Sequence, residues 1–177
     1  FPDLFFDLIS NGVLLTEGEW QRLPQIHPMV RSIRISIDAG NRTTYDILRL
    51  GGDWDIMQQN LRFIAELRKS GVIEQFLISF VVQAENFMEM PEFARMGKRL
   101  GCDLVVFELL MDWNTFSPEL FRQKAVHYRT HPLYDRYVEQ RAQVLDILPR
   151  DSLENVVRLG QPGYETLAAG GVFSGET

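Results

Sequence analysis

Four short apolar segments, Leu4 to Ser10, Ile33 to Ile37, Phe76 to Val82 and Leu104 to Met111, alternate with stretches that carry helical signals. That alternation restricts the chain to a small group of folds. Each segment is near-continuously apolar or β-branched, which suits strands covered on both faces of a parallel sheet. Strand followed by helix followed by strand, with long connections, gives right-handed crossovers and parallel neighbours in one sheet. The expected class is α/β: a parallel-sheet partial (βα) barrel of about four βα units followed by C-terminal helices. Crossovers of one hand stack the helices on one face and leave the other concave, so something should cover the concave side.

The helices announce their own ends. Thr16-Glu-Gly-Glu19 reads as a capping box, with the Thr side chain accepting from the third N–H and Glu19 reaching back, and Pro24 keeps that helix short. Asp53 is the expected N-cap of a longer helix that buries Met57, Leu61 and Ile64, aligns Arg68 with them, and ends at Gly71. A third helix opens at Pro91, buries Phe93, Met96 and Leu100, carries Lys98 and Arg99 in its last turn and stops at Gly101. Pro118 to about Arg129 is expected to be helical. An amphipathic helix follows, with Tyr134, Tyr137, Val138, Arg141, Leu145 and Leu148 as its stripe. The pattern is lost by Ala168-Ala-Gly-Gly171. Residues 1–150 are therefore expected to form the partial barrel and 151–177 an irregular, mobile tail.

Composition removes several classes of function. The 177 residues suffice for one domain, and 18 basic against 24 acidic residues leave a formal charge of -6 with no visible basic stripe, so nucleic acid is not an expected partner. The apolar runs are interrupted by Ser79 and Glu108 and fall far short of a membrane span. A single cysteine, Cys102, cannot form an intrachain disulfide, which favours a reducing, cytoplasmic setting.

In parallel α/β sheets, ligand contacts gather at the carboxyl ends of the strands. Those ends read Ser10-Asn11-Gly12, Ser36-Ile37-Asp38-Ala-Gly40, Val81-Val82-Gln83-Ala-Glu-Asn86 and Phe107-Glu108-Leu109; the second continues into Thr44-Tyr45-Asp46-Ile-Leu-Arg49. This series resembles the radical S-adenosylmethionine superfamily, in the middle and later part of its partial (βα)6 barrel, as found in peptide-modifying members. That superfamily shows Thr/Ser-Asn-Gly, Ser-x-Asp-Gly, His/Tyr-Asp-x-x-Arg and Val-Val-x-x-x-Asn in this order, and the resemblance covers about Leu4 to Tyr137. It implies that Ser36 and Arg49 face S-adenosylmethionine, with Arg49 partnering its carboxylate. Asn11 and Asp38 would shape the adjoining loops, and Gln83 and Asn86 would lie near the ribose or adenine. The structural readings are a turn for Asp38, a solvated cation for Arg49 and a cap for Asn86. Ala39 stands where the superfamily has glycine, with Gly40 next.

The resemblance also implies a parent enzyme that holds a 4Fe-4S iron-sulfur cluster on Cys-x3-Cys-x2-Cys, cleaves S-adenosylmethionine reductively and abstracts hydrogen from a peptide or small-molecule substrate. Those cysteines and the first two strands have no counterpart here, so the chain alone is expected to be inactive. Its start at Phe1 rather than Met favours truncation. Leu4 to Ser10 would then be left as an unpaired edge through which the chain self-associates. The competing reading is a non-catalytic α/β module that uses the same edge. A barrel lyase with Glu108 and Asp112 as paired carboxylates is a minor alternative, weakened by the lack of a strand-end lysine.

Two other motifs carry less. His127 and His131 are spaced for one helix face, yet Pro132 follows directly and the Glu of the Zn-peptidase pattern is absent, so no metal site is expected. Gly51-Gly52-Asp53 lacks the Gly-Lys-Ser/Thr ending of a phosphate loop and reads as a capped helix start. Trp113 to Phe116, just after the last strand, reads as packing, with part of a substrate wall or a cover of the open face as the alternative.

Overall fold

One strand of the sheet reads Val-Arg-Ser-Ile-Arg-Ile-Ser, apolar and polar residues alternating from its third position. Successive side chains of a strand point to opposite faces. Ile33 and Ile35 therefore enter one side, where both are fully buried, while Ser32, Arg34 and Ser36 occupy the other. The computed structural model describes residues 4–148. Its strands β1 (Phe6–Ser10), β2 (Val30–Ser36), β3 (Gln75–Val82) and β4 (Leu104–Leu109) form one parallel sheet in the order β1-β2-β3-β4. Between and after them run α1 (Glu17–Gln21), α2 (Arg42–Leu48), α3 (Trp54–Lys69), α4 (Met90–Leu100), α5 (Pro118–Lys124) and α6 (Tyr134–Ile147). The class is α/β, a partial barrel. The tail expected from residue 151 lies outside the described residues.

The core lies between the sheet and the helical layer. Ile33, Phe76, Ile78, Phe80 and Phe107 meet Met57, Leu61 and Ile64 of α3 and Phe93 and Met96 of α4. Phe80, Phe93 and Phe107 form a ring cluster with centroids 4.9, 5.5 and 5.7 Å apart, in tilted and edge-on geometries that aromatic quadrupoles favour. Gly97 lets α4 settle onto the strands: a Cβ there would lie 2.2 Å from Val105 Cγ2 and 3.2 Å from Ile78 Cδ1. At the amino ends of the strands, Arg68 of α3 donates through Nε (2.7 Å) and Nη2 (2.8 Å) to Asp103, which also accepts from Phe76 N–H at 2.8 Å. One carboxylate thus ties helix to sheet. Burial alone would raise Asp103, but the Arg68 and Phe76 hydrogen bonds outweigh it and hold the carboxyl below its usual range.

Several expectations change. β1 is not covered on both faces: it is an edge strand with Ile9 72% exposed, tied to β2 by Asp7, which accepts from Arg31 and Ser32. Thr16 does accept from Glu19 N–H, but the Glu19 side chain turns to Arg22 instead of reaching back, so the capping box is half made. α5 stops at Lys124, not near Arg129, because Ala125 leaves helical geometry (ψ 73°) and the Lys124 carbonyl is taken by Ala84 N–H. α6 buries Tyr137, Gln140, Val144 and then Leu148, leaving Val138 and Leu145 outside. Its partners are α4 and the 3-10 turn Phe87–Glu89, whose position selects that face. Trp113 is 72% exposed and does not pack. Among the described residues no helix is long and apolar enough to cross a membrane.

Replacing Gly97 by Ala tests the close approach of α4. Alanine favours a helix by about 1 kcal/mol, yet here it overpacks a filled contact, and a net loss of about 1–2 kcal/mol is expected in urea denaturation. Equal or greater stability in Gly97→Ala would show that α4 has room to spare.

Candidate strand-end site

β2 does not simply stop at Ser36. Ile37 N–H still donates to Ser79 O at 2.9 Å, and the chain then turns at Asp38, whose φ of 61° lies in the left-handed region. Asp tolerates that region better than most residues because its short side chain can bond locally. Asp38 Oδ1 accepts from Val81 N–H at 2.7 Å, and Oδ2 accepts from Arg49 Nη2 at 2.6 Å. The same Nη2 donates to Ser36 Oγ at 2.5 Å. Asn86 closes the bracket: its amide nitrogen donates to Asp38 O (2.9 Å) and Val81 O (2.8 Å), while its oxygen accepts from Gln83 N–H (2.8 Å). Ser36, Asp38, Arg49, Gln83 and Asn86 are therefore brought together at the carboxyl ends of β2 and β3.

Glycine falls at position 40 for a physical reason. Gly40 N–H donates to Glu89 Oε2 at 2.7 Å, Thr44 Oγ1 donates to the other Glu89 oxygen, and a Cβ at Gly40 would stand 3.1 Å from Glu89 Cβ. Ala39 is fully buried, and the left-handed residue is Asp38, so the position after Asp38 does not need glycine. Arg49 is delivered by the end of α2. Asn41 caps that helix by accepting from Thr44 N–H at 3.1 Å, and buried Tyr45 packs edge-on against Trp54 at 5.4 Å. Gly52 passes directly over Tyr45, where a Cβ would meet Oη at 2.7 Å. Asp53 then caps α3 through Asp55 and Ile56 N–H, so the Gly51-Gly52-Asp53 run is a turn and a cap.

Beneath the strand ends the concave face carries a second polar group. Arg34 on β2 and Glu108 on β4 form an ion pair at 2.5 Å, with side chains 11% and 23% exposed. Strand register explains its path: Arg34 pairs with Leu77, Ser36 with Ser79, Ser79 with Val106, and Val81 with Glu108. The line from Arg34 to Glu108 thus crosses Ser79, which is 1% exposed and whose Oγ has no hydrogen-bond partner. Arg34 Nε and Arg49 Nε are likewise buried without partners. Burial pushes the Asp38 carboxyl up, Arg49 and Val81 N–H pull it down, and the Glu108 charge adds to the rise; the net direction is upward.

Sequence reasoning missed Arg34 and Ser79. The available signal was the strict alternation Ser32, Arg34, Ser36, Asp38 against Ile33, Ile35, Ile37, which marks one polar face rather than two apolar ones. The paired carboxylates of the lyase reading are not formed: Asp112 is exposed and accepts from Asn114 N–H, while Glu108 is held by Arg34. Asn11 stays exposed in its own turn, accepting from Val13 N–H at 3.2 Å, apart from the Asp38 bracket. Asn86 is fully buried with both its amide groups engaged, so it braces the loop and offers no group to a ligand. Both His131 nitrogens are engaged, with Gln123 O and Leu133 N–H, so it does not pair with His127 for a metal. Cys102 precedes β4 at the amino ends of the strands, and burial, aided by the Asp103 charge, pushes its thiol up.

No protein-family sequence profile matches the chain, and no curated protein does. Among solved structures, TYW1 with a lysine-pyruvate adduct bound is similar at a TM-score of 0.50 and 15% identity, over 80% of this chain and 40% of that one. An archaeal TYW1 is similar at 0.44 and 14% identity, over 92% and 44%. TYW1 is a radical S-adenosylmethionine enzyme. At this identity the likeness to the first structure is one of fold: the four-stranded sheet and its helices follow part of such a barrel. The chain spans less than half the length of either structure.

Two outcomes follow from the site. Asp38→Ala removes a buried ion-pair partner and places alanine in the left-handed region, and about 3 kcal/mol of stability should be lost. Asp38→Asn, which tolerates that backbone, should lose clearly less; equal losses in urea titrations would contradict the bracket. His127 is set by burial, and then by His131, to a pKa of about 4 against an ordinary 6.5. Between those values the unfolded chain binds a proton that the folded chain refuses, so this contribution is intact above pH 6.5 and lost as pH falls toward 4. Asp38, shifted upward, acts in the opposite sense. Stability measured across that window should fall less steeply in His127→Gln than in the parent chain.

Proposed function

We propose that this chain forms part of a radical S-adenosylmethionine enzyme and supplies one wall of the cofactor pocket at the carboxyl ends of β2 and β3. The observation that carries this reading is the Ser36–Asp38–Arg49 cluster, in which Arg49 is locked by two acceptors yet keeps a buried Nε–H without a partner. A guanidinium held in one rotamer suits a planar carboxylate such as that of the amino-acid end of S-adenosylmethionine. Asp38 fixes the Arg49 head, Ser36 adds a hydroxyl beside it, and half-buried Arg49 remains open toward solvent on one side. Gln83 lies next to this group and would complete the wall.

The residues present do not fit the iron-sulfur cluster, which needs thiolates. Cys102 is the single cysteine, and its partly buried thiol lies at the opposite ends of the strands. In this reading the cluster is held by cysteines outside these 177 residues, and Cys102 takes no part. Together, cluster and S-adenosylmethionine supply a hydrogen-abstracting radical in this superfamily; the substrate is a peptide or a small molecule. The lone cysteine favours a reducing cytoplasm as the setting.

A second reading is supported by β1, whose outer edge and exposed Ile9 offer a template for another strand. The chain would then act as a self-associating module. Calorimetry with S-adenosylmethionine separates the two: binding by the parent chain, weakened about tenfold or more in Arg49→Ala for one lost charge-assisted hydrogen bond, is expected. Binding indifferent to Arg49 removes the cofactor assignment. No binding, with a dimer in sedimentation that Ile9→Lys dissociates, would favour the module.

A further inference from the structure

The Arg–carboxylate pairs among the described residues are not built alike. Arg68 fills both Nε and Nη2 on Asp103, and the more exposed Arg31 does the same on Asp7. Arg34 gives Nη2 to Glu108 and leaves Nε buried and unpartnered, although the residue as a whole is only 9% exposed. The guanidinium fork that closes on one carboxylate at Arg68 and Arg31 is half used here, as it is at Arg49, whose Nε is also buried without a partner. Ser79, on the neighbouring strand and the same face, has a buried Oγ that is also without a partner. A buried donor left unmade costs more than a made hydrogen bond contributes, so two adjacent ones on one polar face indicate that something else satisfies them.

We propose that Arg34 Nε and Ser79 Oγ form a binding site for a carboxylate group of a small polar molecule on the concave face, separate from the Ser36–Asp38–Arg49 cluster. One carboxylate oxygen bridges the two donors. Glu108, on the far side of the guanidinium, holds Nη2 and so fixes the fork in the orientation that points Nε toward the ligand. The way in is from the carboxyl ends of the strands, where Glu108 and Arg49 reach solvent at 23% and 25% side-chain exposure. The placement suits a substrate, reached past the strand-end cluster and gripped one layer deeper in the sheet. The site does not depend on the cofactor reading, since its donors belong to the chain whether or not S-adenosylmethionine binds.

The test is a titration of the full chain with succinate, followed through the arginine Nε–H resonances in nitrogen–proton NMR spectra, with the Arg34 signal assigned by its loss in Arg34→Lys. A saturable shift of the Arg34 signal is expected, at least tenfold weaker in affinity for Ser79→Ala and for the neutral analogue succinamide. Ser79→Ala removes an unpartnered buried hydroxyl and should melt at or above the parent temperature, so its weaker binding cannot be a folding defect. Arg34→Lys keeps a cation for Glu108, and loss of succinate binding in calorimetry at unchanged melting temperature is the second expected result. A shift confined to the Arg49 signal would overturn this site while supporting the strand-end cluster as the carboxylate binder. No saturable shift, or equal affinity in Ser79→Ala or for succinamide, would overturn it as well.

Discussion

The architecture depends on the alternation along β2. Its isoleucines anchor the helical layer, and its polar residues make the concave face of the sheet ionic. A strand buried on both sides by apolar residues would have required a second helical layer or a closed barrel. Here the second side is held by side chains instead: Arg34 crosses Ser79 to reach Glu108, and Arg49 comes from α2 to Ser36 and Asp38. Buried ion pairs contribute little net stability, because desolvation cancels most of the attraction. Their value is geometric, in fixing where donors point.

The two faces respond differently to change. On the helical side, contact is close enough that Gly97 is required against Val105, and the Phe80–Phe93–Phe107 cluster fills the space around it. On the concave side, donors are left over, as at Arg34, Arg49 and Ser79. A fold built only for stability would have filled those atoms or replaced Ser79 with alanine. Unmet polar groups at and just beneath the carboxyl ends of parallel strands mark where such sheets meet their ligands.

Most of the element order could be read from the sequence, since it rests on local chemistry. Asp53 and Gly101 bound their helices because caps satisfy the free ends of backbone within a few residues. What failed depended on distant partners. α6 turns Val144 inward and Leu145 outward because α4 and the Phe87–Glu89 turn lie on that side, and both faces of the helix carry enough apolar residues to be chosen. α5 ends at Lys124 because a carbonyl there is claimed from β3's following loop by Ala84, a residue forty positions earlier.

The sequence by itself determined the alternation of strands and capped helices, the parallel α/β class, and the strand-end residues Ser36, Asp38 and Arg49 as a group of interest. The first two follow from period and capping, which are local, and the third from the resemblance of the strand-end motifs to the radical S-adenosylmethionine superfamily. Only the tertiary structure decided that Asp38 takes the left-handed turn and joins Arg49, that Asn86 is a brace, and that Arg34 spans two strands to Glu108 over Ser79. Those pairings join residues between 11 and 74 positions apart, and their geometry is set by strand register and helix placement. Side-chain type in the sequence states what each residue can donate or accept; the packed sheet decides to whom.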